Sequence, residues 1–360
     1  MKESFSLVAK NTSPLCFIPS GKLVCYKNGN IQILENDIVI KTIGLFSNFK
    51  EKFLGRVKIF RRLLRSGVRS AIAIDNSTVI LSIGNMIYEL NINSGILSNG
   101  YVLPRGIRPL SFSEIKGIPN FTDGIYFGGY DAGNKDKKPI SLYKRVSKDK
   151  WIDVYTFSNG EINHVHNIVA DNYRNCVWIF TGDFGDSAAI WKSNDGFKTI
   201  HKVYGGDQKY RGCVAFARPE GLIYATDSPF AKNYIYCITP NGKLNPLLPI
   251  SGSCIYGCMC NDKLIFSTTV EPDGRNETLM KLLFDYRIGA GIEDRYARIY
   301  EYSSFDNIIE ICKVKKDFMP FLFQFGAFKF PSGNNNTGVL YFQPTALSKC
   351  DMNIVNVRIS

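Results

Sequence analysis

The chain has 360 residues, enough for one or two domains with a sizeable core, and a formal charge of +12. Short apolar runs rich in Tyr and Phe, punctuated by Gly, argue for an all-β protein rather than a helical or disordered one. The positive balance favours an acidic partner, whether a charged glycan, a nucleic acid or an anionic membrane. No apolar stretch approaches the roughly 20 residues that a membrane-spanning helix needs. The opening MKESFSLVAKNTSPLC lacks the apolar core of a secretory signal, so the expected location is the cytoplasm, with peripheral attachment to a membrane as a variant.

Strand-like runs come in groups of three or four, separated by Gly, Asn, Asp or Pro. SPLCFIPS, KLVCYKN, NIQILEN and DIVIKTIGL form the first group, over 13–45. A different pattern follows in 46–66, where Lys50, Lys52, Arg56, Lys58, Arg61, Arg62 and Arg65 face only Glu51. Phe49, Phe53, Val57, Phe60 and Leu64 recur there at helical spacing, which predicts an inserted amphipathic basic helix. Its apolar stripe is expected to pack on the rest of the fold with the basic side in solvent. Docking on an anionic membrane surface through 46–66 is the second reading. Nucleic acid is not expected, because no base-stacking aromatic motif accompanies the charge.

The second group, within 68–103, is VRSAIAID, TVILSIG and NMIYELNI; the third, within 104–158, is IRPLSFSE, GIYFGGY, ISLYKRV and WIDVYTF. HVHNIVAD, CVWIFTGD, AAIWKSN and TIHKVYG make the fourth, and GCVAFAR, GLIYATD, YIYCITP and LNPLLPI the fifth. The sixth is CIYGCMC, KLIFSTTV and LMKLLFDY with ARIYEYS or IIEICKVK; the seventh, FLFQFGAFKF, GVLYFQP and MNIVNVRIS, is one strand short. The N-terminal SFSLVAK can supply the missing strand by pairing with the C-terminal group. Groups of about 40–55 residues match four-stranded propeller blades. The expected fold is therefore a single-domain, seven-bladed β-propeller over 1–360; six or eight blades would need one group divided differently.

The ten cysteines are scattered, mostly within apolar runs, and lack the paired spacing of a zinc site. They read as reduced, buried small hydrophobes.

The richest stretch is Gly160–Thr199, with His164 and His166 two residues apart and the turn SNDGFKT at its end. This turn, with YFGGYDAGNKDKKPISLYKR, EINHVHNIVADNY, WIFTGDFGDSAAIWKSNDGFKT, GGDQKYRGCVAF and YATDSPFAKNYIYCI, resembles the Asp-box (neuraminidase-repeat) propeller proteins. Within them it resembles a bacterial and archaeal group described as sialidase-like or glycosyl-hydrolase-like. The matching pieces lie in the third to fifth blades, under half the chain. The resemblance implies a propeller acting on glycans, as in bacterial polysaccharide metabolism. This chain departs from it at Gly129 and at Ser187-Ala188, where relatives commonly carry acidic residues, and at Phe197 and Ile200 around the box. The box itself is a structural turn and indicates no chemistry.

In a propeller the innermost strand of each blade lines the central channel. Those strands offer Arg69, Arg108, His164, His166 and Arg211. Guanidinium groups grip carboxylates in bidentate fashion, so the expected ligand is a uronic or sialic acid glycan or glycoconjugate. On a strand both imidazoles face one side, where they can act as acid or base or be held by a neighbouring blade. No cofactor is expected; a divalent metal at His164/His166, with Gln208 or an Asp completing its shell, stays open. Asp183 and Asp227 end the second strands of adjacent blades, the placement a glycosidase pair of carboxylates needs. Tyr130, Gln208 and Tyr210 are further candidates for the mouth. The expected activity is a lyase, with arginine neutralising a uronate while His164, His166 or a Tyr takes a proton, or a hydrolase working through Asp183 or Asp227. A non-catalytic glycan-binding or scaffold propeller is the alternative. On this reading Arg211→Ala should cost activity with little loss of stability.

Overall fold

The computed structural model describes residues 5–45, 58–64, 67–275 and 278–359. Strand β1 (Ser6–Ala9) leaves the N-terminus for the last sheet of the ring. The first sheet then forms from β2 (Ser13–Phe17), β3 (Leu23–Lys27), β4 (Asn30–Glu35) and β5 (Ile38–Gly44), each antiparallel to the next. The same meander repeats in β6 (Val68–Ala73) to β9 (Tyr101–Val102), in β10 (Ser113–Ile115) to β13 (Lys150–Phe157), and in β14 (His164–Asp171) to β17 (His201–Gly205). It continues in β18 (Gly212–Arg218) to β21 (Leu244–Ile250) and in β22 (Cys254–Cys260) to β25 (Asn307–Lys315). The last sheet is β26 (Ala327–Lys329), β27 (Val339–Thr345), β28 (Ile354–Arg358) and β1. Seven four-stranded antiparallel sheets in a ring make a seven-bladed β-propeller, the expected fold.

The core lies between neighbouring sheets. Leu142, Phe157, Ile168, Ile179 and Trp191 form one such layer between the third and fourth sheets. Burying side chains of this size contributes about 1.5–3 kcal/mol each, so most of the stability resides between blades. Outer strands carry what inner strands could not: Pro246 and Pro249 sit in β21, which pairs on one side only. All ten cysteines are free.

Two predicted elements differ. LMKLLFDY is no strand: Leu279–Phe284 is a short helix in the connection between β23 (Lys263–Thr268) and β24 (Tyr296–Ser304). Thr278 caps it by accepting a hydrogen bond from Lys281 N at 3.2 Å, and its Leu, Met and Lys are good helix formers without strand alternation. The sixth blade takes both ARIYEYS and IIEICKVK instead.

The inserted helix is described as α1 (Lys58–Leu64); the rest of 46–66, including Phe49, Phe53 and Val57, lies outside the described residues. Its orientation is the reverse of the expected one. Arg61 and Arg62 are buried, whereas Ile59, Phe60, Leu63 and Leu64 are exposed. Arg62 enters a pocket of acceptors, 2.5 Å from Asp317 Oδ2, 3.4 Å from Asp351 Oδ2 and 2.7 Å from the Phe323 carbonyl. Two largely buried carboxylates demand a cation more strongly than an apolar stripe demands cover. Sequence periodicity does not register that demand. No helix among the described residues is long and apolar enough to cross a membrane.

Candidate functional site

Each inner strand begins, and each second strand ends, on one face of the ring. On that face the fourth and fifth blades bring together His164 and His166 of β14, Asp183 after β15 (Cys176–Gly182), Arg211 before β18 and Asp227 after β19 (Gly221–Thr226). A bulge in the β14–β15 pairing between Val165 and Asn167 turns both imidazoles to one side. Two glycines make room. A Cβ on Gly182 would lie 2.2 Å from His166 Cε1, and one on Gly128 2.2 Å from Val165 Cγ1.

Main-chain carbonyls fix the imidazole tautomers. His164 Nδ1 lies 3.0 Å from the Asp131 carbonyl and His166 Nδ1 3.3 Å from the Gly212 carbonyl. A carbonyl only accepts, so both Nδ1 atoms carry a proton, and in the neutral rings both Nε2 atoms present lone pairs. Those lone pairs converge. The two Nε2 atoms are 3.1 Å apart, and Asp183 Oδ1 is 3.3 Å from one and 3.1 Å from the other. Three acceptor atoms thus converge on one point.

The surrounding charges are almost all buried. Arg211 Nη2 is 3.0 Å from Asp183 Oδ1 and its Nε 3.4 Å from Asp227 Oδ2. Burial alone would raise the Asp183 carboxyl, but the Arg211 guanidinium beside it holds it well below the usual carboxylate range. Burial pushes the His166 imidazole below its ordinary value, and Asp183 pulls it only partly back. Burial would likewise lower Arg211, yet Asp227 and Asp183 raise it. Cys213 donates to Asp227 Oδ2 at 3.2 Å, and burial, with Asp227 beside it, pushes its thiol well up. Gln208 Nε2 donates to the Asp183 carbonyl at 3.0 Å. Asp227 Oδ1, Gln208 Oε1 and Arg211 Nε are buried without a hydrogen-bond partner.

The rim is a stack. The Tyr130 ring lies over His164 with centroids 4.1 Å apart, and the Arg108 guanidinium lies 5.1 Å from the Tyr130 centroid. Arg108 is not on an inner strand, as the sequence suggests; it precedes β10 and forms an isolated bridge with Tyr130. Among the described residues no carboxylate pairs with it. Burial, with Asp183 nearby, raises the Tyr130 phenol well above its ordinary value, so it keeps its proton.

Two sequence candidates are placed elsewhere. Tyr210 stacks on Tyr204, with centroids 5.3 Å apart, and Arg69 is exposed on β6, two sheets round the ring from the histidines. Arg211, read from sequence as a substrate arginine, is occupied by two carboxylates of its own chain.

Sequence reasoning missed Glu271. It lies three residues past the end of β23, whereas Asp183 and Asp227 directly follow β15 and β19; an acid shortly after the second strand of three successive blades was the available signal. Burial, then the Asp227 charge, raises the Glu271 carboxyl to about 7. A carboxyl raised on folding stabilises the protein while both states are protonated, and that advantage is lost as pH rises through the folded value. Glu271 should therefore make the fold less stable between about pH 4.5 and about 7, by about 3 kcal/mol in all. Glu271→Gln should flatten that part of the stability–pH curve measured by denaturant unfolding; an unchanged slope would exclude Glu271 as its source.

Two surface clefts lie away from this cluster, one of about 380 Å³ beside Asp75, Glu89 and Arg145, the other of about 340 Å³ beside Ile18, Lys22 and Asn93. The Asp-box-like turn is also remote from the chemistry. Asp195 Oδ1 accepts from Thr199 N and Ser193 Oγ, both at 3.0 Å, which closes the turn.

No known family matches the chain, and no curated protein matches it. Solved structures with the same architecture are numerous. The extracellular domain of a one-component system from B. thetaiotaomicron aligns with 99% of this chain and 40% of its own, at TM-score 0.54 and 10% identity. A prolyl endopeptidase aligns with 94% of this chain and 47% of its own, at TM-score 0.54 and 11% identity. A chain of a mitotic checkpoint complex aligns with 100% of this chain and 96% of its own, at TM-score 0.53 and 10% identity. This chain thus spans less than half of the first two proteins. At such identities the likeness establishes the propeller fold alone.

Proposed function

We propose that this protein is a carbohydrate-active propeller for an acidic, uronate-bearing glycan, and that elimination suits its mouth better than hydrolysis. The observation that carries this reading is the Arg108–Tyr130–His164 stack: a guanidinium without a carboxylate partner among the described residues, a phenol that keeps its proton, and an imidazole with an inward lone pair. Arg108 would grip and neutralise the sugar carboxylate. An imidazole Nε2 would take the C5 proton, the C–H electron pair would become the C4=C5 double bond, and the C4–O bond would break towards the leaving oxygen. Tyr130 would protonate that oxygen. Hydrolysis is less well served. Asp183 is held ionised against Arg211 and is not poised as a general acid, and Asp227 is engaged by the same guanidinium.

The test is a panel of acidic polysaccharides, followed for the unsaturated-uronate absorbance beside a reducing-sugar assay. Turnover with new absorbance is expected, and Arg108→Ala should lower kcat/KM roughly 10- to 100-fold with the melting temperature retained. Binding without either product would make the protein a glycan-binding propeller. No turnover and no binding on the whole panel would end the glycan reading.

A further inference from the structure

We infer that His164 Nε2, His166 Nε2 and Asp183 Oδ1 form a binding site for one divalent transition-metal ion of the zinc or cobalt type. Tetrahedral zinc holds nitrogen and carboxylate ligands at about 2.0–2.2 Å, which sets ligand atoms about 3.4 Å from one another. The three separations in this chain are 3.1, 3.1 and 3.3 Å, so the ligand atoms already stand on one face of such a tetrahedron. The outer shell also fits. Metal-bound imidazoles characteristically donate their other N–H to a carbonyl or carboxylate, as both histidines do here, to Asp131 and Gly212.

Charge favours a cation as well. Arg211 is the guanidinium within the buried cluster, set against the carboxylates of Asp183 and Asp227 with Glu271 close behind. A divalent ion would offset the remaining negative charge. Gln208, whose Nε2 holds the Asp183 carbonyl at 3.0 Å, leaves its buried Oε1 without a partner. A second triple, His166, Cys213 and Asp227, shares His166 with the first, and two of its members already bond each other, Cys213 Sγ to Asp227 Oδ2 at 3.2 Å.

The site does not depend on the glycan reading, but it bears on it. A metal and the substrate proton would compete for the same lone pairs, so the metal-loaded protein would have no imidazole free to act as base.

The experiment uses the full chain, stripped with a chelator and titrated with Co²⁺ and Zn²⁺. One equivalent per chain is expected, with the visible absorption of four-coordinate cobalt. His166→Ala and Asp183→Asn should each weaken binding at least roughly 10-fold, whereas His201→Ala, at the exposed third histidine, should leave it unchanged. Circular dichroism shows whether each variant folds, and Asp183→Asn serves if His166→Ala does not. No binding, or binding untouched by both site variants, would overturn the inference. That result would leave the glycan assay standing, and a failed glycan assay would leave metal binding standing.

Discussion

Arg211→Met should lower the free energy of unfolding by about 3–5 kcal/mol, the usual cost of removing one member of a buried ion group. The side chain lies between Asp183 and Asp227, and among the described residues Asp227 has no other basic partner. Methionine fills much of the volume but strands two carboxylates. The double variant Arg211→Met/Asp227→Asn should recover part of the loss, because the stranded charge is gone. Denaturant unfolding followed by tryptophan fluorescence measures both. A single-variant loss under about 1 kcal/mol would mean that water reaches these carboxylates and that the cluster is not buried as described. The sequence alone predicts the opposite for Arg211, loss of activity with stability kept, because it cannot show that the guanidinium is already engaged.

Arg62→Met should cost about 3 kcal/mol by the same reasoning. Its partners retain other cations: Lys58 is 2.7 Å from Asp351, and Lys316 contacts Asp317. The loss should therefore not exceed that of Arg211→Met. Methionine would also leave the Phe323 carbonyl without its 2.7 Å donor, so α1 should detach locally. Faster hydrogen exchange across Lys58–Leu64 would register this. Unchanged protection and stability would show that the inverted orientation of α1 does not rest on Arg62.

The blades were legible in sequence because an antiparallel meander writes its turns as Gly, Asn, Asp and Pro between runs of strand-forming residues. The histidines were legible because a polar pair at the start of an otherwise apolar inner strand is locally conspicuous. What escaped was set by distant partners. Arg62 turns inward to carboxylates more than 250 residues away, and helical periodicity cannot register acids on another blade. Arg211 looked available because its two carboxylates belong to different turns. Glu271 was hidden by irregular spacing after its strand, and LMKLLFDY by an apolar content that strand and helix share. Tyr130, Arg108 and Gln208 were found as residue types; their stacking and hydrogen bonding became visible only with the ring closed.

The measurement closest to the central claim is the ¹⁵N chemical shifts of the imidazole nitrogens at neutral pH in metal-free protein. The chain has only three histidines, and His201→Ala assigns the exposed one. The account predicts Nδ1 protonated in both His164 and His166, with Nε2 of each unprotonated or sharing a single proton with Asp183. A proton resident on Nε2 of both rings, with Nδ1 bare, would contradict it, since the lone pairs would then face the Asp131 and Gly212 carbonyls and no cation-seeking centre would exist.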